Sequence, residues 1–389
     1  MWIPATVAMR MHMRRLVVAL LVASGLFAQQ NGKLQLHFMD VGQGDGAVLI
    51  SPQGQVVLFD AGEDMKVKSC AKPLAYLHQL GVSKIDYVFI SHYHFDHIGC
   101  VPAVLAEFPL NGTAYDRGAS YPGGTYKKYV EAVGEHRKTA ETGQVLRLDE
   151  GTPSEVDLSV VAMNGAGIPT TNENDLSVSV LVHFGAFKAE IGGDLSGMNT
   201  GSYKDIETTV APLVGRLDVY KVHHHCSSYS SNEQWLATTQ PSVAVISTGD
   251  GNDYHHPAAD CVARLHAHKA AMYWTETGAG ATPQAGVDVV GGNIVVEVDP
   301  GATTYTVKPT TGEGATYPIA GAGGGTTPVT PVVVPPAPVT TTPKYAWSKK
   351  SSLYHYANCP MVARISKDNL EEGDTPPEGK TLHENCPKQ

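Results

Sequence analysis

The chain has 389 residues, of which 42% are hydrophobic and 17% charged, with a formal net charge of -10. That length is enough for a sizeable two-sheet core, and the composition is that of an ordinary soluble domain with a quiet surface. The negative balance excludes a protein that coats nucleic acid by bulk charge, but not a local site that holds a phosphodiester through bound metal.

Arg14 and Arg15 precede an apolar run over 16–26, and the small Ala28 stands before Gln29, the pattern of an export signal spanning 1–28. The run holds about 11 residues where a membrane span needs about 20, so no stable span is expected after cleavage. A secreted or periplasmic protein is expected. Cysteines stand at 70, 100, 226, 261, 359 and 386. An even number in an exported chain permits disulfides, and pairing in sequence order is the expectation.

One globular domain is expected over 29–309. Alternating polarity predicts a strand at 33–38, closely spaced glycines at 42, 44 and 46 break it, and short strands resume at 47–50 and 56–59. A helix is predicted over 70–80, with Leu74, Leu77 and Leu80 three apart and Gly81 as a stop. A buried-type strand at 87–90 runs into Ser91-His92-Tyr93-His94-Phe95-Asp96-His97, and a helix is predicted over 98–108 with Pro102 in its first turn. Further on, a helix is predicted at 126–136 and strands at 159–163, 177–184 and 187–191, the last ending in Gly192-Gly193-Asp194. The strand at 218–222 ends in His223-His224-His225. After it come a strand at 243–247, a polar loop at 249–256, a helix at 258–268 and strands at 271–275, 292–298 and 303–307. Strands and helices interspersed in both halves imply two sheets with helices on their outer faces.

Zinc or manganese needs several imidazoles or carboxylates converging on one point. His92 and His94 lie two apart with Asp96 and His97 just beyond, so a tight turn behind a strand directs one pair toward each of two ions. Asp194, behind a strand and two glycines, is the candidate bridge. Adjacent residues of an extended chain point to opposite sides, so His223, His224 and His225 are not all expected to be ligands. The polar loop 252–256 is expected to contribute at least one group to the cleft.

These residues resemble the metallo-beta-lactamase fold, whose first metal motif is His-x-His-x-Asp-His. They are most similar to the extracellular hydrolase domain of competence protein ComEC and its secreted relatives. The likeness runs through 38–45, 60–62, 91–99, Gly193-Asp194, 221–227 and 252–257. It implies an α+β four-layer αββα sandwich with two divalent ions, Zn or Mn. His92 and His94 would hold one ion, Asp96 and His97 the other, with Asp194 bridging them and His224 as the further ligand of the second ion. His225 and His256 would serve the cleft as proton donors or substrate ligands, with Asp96 counted among the catalytic residues.

Three departures stand out against that pattern. The glycine after the paired histidines is Cys226, the glycine before the closing histidine is His255, and the second glycine after the first motif is Cys100. The broader fold supplies a third histidine to the first ion, but none lies between 108 and 135, and Asp116 is the expected substitute. The implied activity is that of a secreted metal-dependent hydrolase, a phosphodiesterase or DNase using a metal-bridged hydroxide on a small phosphodiester or DNA. A lactamase or lactonase of the same fold and a noncatalytic envelope-binding protein are the alternatives.

From 310 to 344 glycines give way to proline and threonine, which reads as a linker. The tail at 345–389 holds His355-x3-Cys359 and His383-x2-Cys386. A disulfide is favoured there over a zinc set, and a cell-envelope partner is the expected role.

Overall fold

The computed structural model describes residues 30–63, 70–322, 345–356, 359, 362, 365–373 and 375–383. The expected export signal, residues 323–344 of the expected linker and Cys386 lie outside them. The chain divides into two units, one ending at Val334 and one beginning at Pro335.

The first unit opens with an antiparallel set, β1 (Leu34–Phe38), β2 (Gly46–Ile50) and β3 (Val56–Ala61). To this, β4 (Ile85–Phe89), β5 (Leu110–Asp116) and β6 (Arg137–Thr139) add in parallel. A second sheet takes up β7 (Val145–Leu148), β8 (Val156–Ala162), β9 (Ser179–Phe184) and β10 (Phe187–Ile191). A two-stranded ribbon, β11 (Gly197–Thr200) and β12 (Tyr203–Asp205), stands apart from both sheets. The second sheet then continues through β13 (Val219–Lys221), β14 (Val243–Ile246), β15 (Ala271–Trp274) and β16 (Val289–Val290), each parallel to the strand before it. Finally β17 (Ile294–Val298), β18 (Thr304–Pro309) and β19 (Ala315–Pro318) return to the first sheet beside β1.

The strands are apolar on both faces because each sheet is covered twice. Leu36, Leu49, Val57 and Phe59 meet Leu158, Val180, Val182 and Val245 between the sheets. Alternate residues of the same strands, Val48, Val56 and Leu58, face outward. They are covered by α1 (Ala71–Gln79), α2 (Phe95–Ile98), α3 (Val101–Glu107) and α4 (Gly124–Val133). The outer face of the second sheet packs under α5 (Glu207–Val214), α6 (Glu233–Thr239) and α7 (Ala259–Ala267). The layers therefore run helix, sheet, sheet, helix, as expected.

Two boundaries differ from the sequence reading. Asp96 and His97 sit in the first turn of a short helix instead of the loop before one, because His94 is extended (φ -65°, ψ 150°) and its carbonyl accepts from the His97 and Ile98 amides. The domain also runs past 309. Residues 315–318 pair with β18, Tyr317 stacks on Tyr305, and the Ala320 amide donates to the Asp218 carboxylate at 2.8 Å. The glycines that suggested a linker build the turn into this strand.

The parallel strands position the site. Parallel neighbours need crossovers, so their carboxyl ends share one edge, where open α/β sheets collect ligands. Strands β3, β4, β10 and β13 each end in one of the polar motifs.

Cys70–Cys100 and Cys226–Cys261 are disulfides, the expected pairings. In the second unit four short strands form one sheet, in the order Leu370–Gly373, Tyr345–Ser348, Leu353–Tyr356 and Thr381–Leu382. Its Cys359 is disulfide-bonded, so its sulfur is not a zinc thiolate.

Candidate metal centre

Beyond β4 the chain stays extended to His94, so His92 and His94 face one way and Tyr93 the other. His92 Nε2 and His94 Nδ1 come within 3.0 Å, while the Tyr93 ring is buried under the Arg117 guanidinium, 4.4 Å from its centroid. Helix α2 then turns Asp96 and His97 toward a second point. The loop 42–46 is folded over this turn: the Asp45 amide donates to the Asp96 carbonyl at 3.1 Å. A Cβ on Gly44, at φ +124°, would stand 2.1 Å from that same oxygen, which is why the loop needs glycine there.

Asp194 joins the two points. Its Oδ2 lies 3.8 Å from His92 Nε2 and 3.7 Å from His224 Nε2, and its Oδ1 lies 3.3 Å from His97 Nε2 and 3.6 Å from His225 Nε2. His225 Nε2 is also 3.4 Å from Asp96 Oδ2. Of the four overlapping donor groups that result, two contain the motif residues on either side of Asp194, His92 with His94 and Asp194, and Asp96 with His97 and His225; the other two join Asp45 to Asp60 and His97, and Asp45 to Asp194 and His225.

This corrects the sequence reading of the paired histidines. His225, expected to act in the cleft, belongs to the second donor group, and His224, expected there, sits on the Oδ2 side of Asp194 with Asn174 Nδ2 3.2 Å from its Nε2. The cause is backbone conformation. His224, His225 and Cys226 have φ of 51°, 51° and 60°, so the chain is not extended and neighbouring side chains no longer alternate. His223 turns away, its Nδ1 2.8 Å from Glu207 and its Nε2 3.2 Å from Glu190. Burial opposes charge on His223, but those two carboxylates raise it to about 9.

Asp116 is a second correction, since it reaches neither group. Its carboxylate accepts from the hydroxyls of Tyr93 (2.9 Å) and Tyr129 (2.7 Å), the Gly118 amide (2.8 Å) and the Arg137 guanidinium (2.6 Å). With every lone pair engaged in the protein it anchors the motif from behind. His256 lines the cavity without joining a donor group; its ring lies 5.5 Å from that of His224 and 6.0 Å from that of His225.

A further layer of carboxylates holds the imidazoles. Asp60 Oδ2 accepts from His97 Nδ1 at 2.9 Å, which leaves Nε2 as the donor toward the site. His225 Nδ1 bonds the Ser247 carbonyl at 3.1 Å and lies 3.2 Å from Asp45, which is itself paired with buried Lys221. Burial disfavours charge on His97 and His225, yet the carboxylates win: Asp194 and Asp60 hold His97 well above its usual range, and Asp194 and Asp45 raise His225 to about 10. Burial prevails at His224, which falls to about 4.

These residues fit divalent cations. His97 Nε2, His225 Nε2 and Asp194 Oδ1 are buried and form no hydrogen bond of normal geometry among the described residues, although they converge. Buried polar atoms without partners are costly, and a mixed imidazole and carboxylate set suits zinc or manganese. The sequence reading missed Asn174, Tyr203 and Tyr229, which line the cavity but lie in loops and a ribbon outside the motifs. Asp45, Asp60 and Lys221 stood in its motifs without a role.

A two-sheet sandwich that gathers two imidazole and carboxylate groups at the ends of its parallel strands defines a metal-dependent hydrolase scaffold. The metallo-beta-lactamase superfamily profile matches residues 45–250, and the chain belongs to that superfamily as a ComEC-like member. It is 28% identical over 240 residues to Recombination protein 2 of Haemophilus influenzae, covering 61% of this chain and 27% of that protein. It is 24% identical over 262 residues to ComE operon protein 3 of Bacillus subtilis, covering 62% and 32%. The chain thus spans about a third or less of both relatives. Among solved structures, the metallo-beta-lactamase fold protein YhfI of Bacillus subtilis aligns at TM-score 0.40 and 13% identity, covering 68% of this chain and all of that one.

Proposed function

We propose that this protein is an exported phosphodiesterase that holds two divalent ions, zinc or manganese, and cleaves DNA or a smaller phosphodiester. The observation that carries the reading is the single carboxylate of Asp194 facing both donor groups, His92 with His94 and Asp96 with His97 and His225. Beside them opens a cavity of about 420 Å³, wide enough for a phosphodiester and its neighbours. A pair of ions in such groups supplies Lewis acidity, lowering the pKa of water and offsetting charge on phosphoryl oxygens.

The chain's own contribution is positional. Asp60 and Asp45 fix the imidazole orientations, and α2 holds Asp96 and His97 rigid. In an in-line displacement, the oxygen of water forms the new bond to phosphorus as the bond to the leaving alkoxide breaks, and that alkoxide takes up a proton. Because His225 is committed to the second donor group, His224 and His256 are the cavity imidazoles left to bond the phosphoryl or leaving oxygen.

Export is supported by the disulfides Cys70–Cys100 and Cys226–Cys261 and by the bonded Cys359, since such bonds persist in oxidising compartments. Among the described residues no helix is long and apolar enough to cross a membrane. A cell-envelope partner is proposed for the second unit on sequence composition.

The test is metal analysis of the purified chain, then assays on single-stranded DNA, a chromogenic phosphodiester and a beta-lactam. Asp96→Ala and His225→Ala should each abolish phosphodiester cleavage in a protein that remains folded. Turnover of the beta-lactam alone, or cleavage that survives both substitutions, overturns the proposal.

A further inference from the structure

Among the described residues, a polyanion entering this cavity meets no lysine or arginine in its lining. It meets rings. Tyr229 stacks on Tyr203 with centroids 4.4 Å apart and planes 20° from parallel, and Tyr203 lies 6.0 Å from the His224 ring. His224 stands 5.5 Å from His256, and His256 stacks with Tyr254 at 5.9 Å and 16°. Five rings therefore form one arc along the cavity wall, with the two histidines beside Asp194 in its middle and a tyrosine at each end.

The ends of the arc are open. Tyr229 is 39% and Tyr254 52% exposed, and only Val287 and Val290 join them as exposed large apolar side chains among the described residues. Exposed apolar surface gathered at a cavity mouth marks a ligand site. The mouth is aromatic and the wall carries no lysine or arginine among the described residues, so the complementary ligand group is a flat π-system attached to the phosphodiester.

We infer that Tyr229 and Tyr254 are base-stacking subsites on either side of the donor groups, so that the site selects strands with unpaired nucleobases over duplex and over base-free phosphodiesters. This inference rests on the phosphodiesterase reading and deepens it. A nucleobase on each side of the scissile phosphate lies on one tyrosine. In a duplex both faces of each base are already stacked, so the platforms gain nothing.

The experiment uses the full chain, a thymidine strand of about ten nucleotides, and a strand of the same length in which every base is replaced by an abasic unit. Binding is read by fluorescence anisotropy of labelled strands in chelator, and cleavage as kcat/KM in the metal-loaded protein. The thymidine strand should exceed the abasic strand by about 10-fold or more in both readouts, because each stacked base contributes substantially to binding. In Tyr229→Ala/Tyr254→Ala that ratio should fall to within about two-fold of unity, and Tyr229→Phe/Tyr254→Phe should restore it, since phenylalanine keeps the π-face. Equal binding of the two strands by the unaltered chain, or a ratio that survives the double alanine change, overturns the inference. If base-dependent binding holds while neither strand is cleaved, the subsites stand and the phosphodiesterase reading fails. If both strands are cleaved with equal efficiency, that reading stands and the subsites fail.

Discussion

Replacing Asp116 with alanine separates a structural anchor from a metal ligand. The carboxylate is fully buried and accepts from two tyrosine hydroxyls, a backbone amide and the Arg137 guanidinium, whose side chain is 21% exposed. Its removal leaves the Tyr93 and Tyr129 hydroxyls without their acceptor, at about 1 kcal/mol each, and strips a largely enclosed cation of its partner. Breaking a buried ion pair costs about 3–5 kcal/mol, and partial solvent access to Arg137 places this case near the lower end, so the total comes to about 5 kcal/mol. For a domain of this size that lowers Tm by about 10 °C. The assay is urea unfolding of Asp116→Ala and the unaltered protein, each in chelator and in excess metal, with metal content measured on the folded fraction. An anchor costs the same stability in chelator as in metal and leaves stoichiometry intact. A ligand costs stability only when metal is present. Unchanged stability in chelator combined with loss of one metal equivalent would refute the structural assignment.

His37 makes stability depend on pH. Burial lowers its pKa from 6.5 to about 4, with Nδ1 2.9 Å from the Tyr76 hydroxyl. Above 6.5 the ring is neutral folded or unfolded; below it the unfolded chain takes up a proton that the folded chain refuses until about 4. Stability should therefore decline between those values by about 3 kcal/mol, and His37→Gln should lack that component in chelator-treated protein unfolded in urea at a series of pH values. Identical slopes would count against it. The Cys226–Cys261 bridge closes a 35-residue interval, and Cys226→Ala/Cys261→Ala should lower unfolding free energy by about 4 kcal/mol. Cys226→Gly/Cys261→Ala should recover about 1 kcal/mol of that loss, because position 226 is left-handed and glycine accepts it without strain. Equal midpoints for the two double variants would show that the backbone there carries no strain.

The strand, ligand-rich turn and helix around His92 were legible because each signal is local: an apolar run, a cluster of imidazoles and a helical period. Asp194 was legible because two glycines set it at the end of a strand. The assignment of His224 and His225 was not, since side-chain alternation holds only in extended chain, and their left-handed backbone leaves no mark in residue type. Asp116 was misread for a related reason. A carboxylate at a strand end serves an ion or a protein cation equally well, and its partners at 93, 129 and 137 come from three other segments. The strand at 315–318 was hidden by glycines that belong to its turn.

Two of the three glycine positions where this chain departs from the ComEC-like pattern, 226 and 255, have a common cause. Cys226 has φ 60° and His255 has φ 56°, so both sites call for a left-handed residue, the conformation glycine adopts freely and other residues only at a cost of about 1–2 kcal/mol. At 226 the substitution brings its own compensation, because the thiol that replaces glycine ties the loop to α7 through Cys261. At 255 the neighbouring chain is held by Asn252, whose side chain accepts from the His256 amide at 3.0 Å and donates to its carbonyl at 2.8 Å. Conformational freedom in the motif is thus replaced by cross-links around it. The residues so held, His224, His225 and His256, are the ones that must face Asp194 and the cavity together. A loop that carries adjacent imidazoles to both sides of one carboxylate needs that enforced backbone, because extended chain would send one of them into the core.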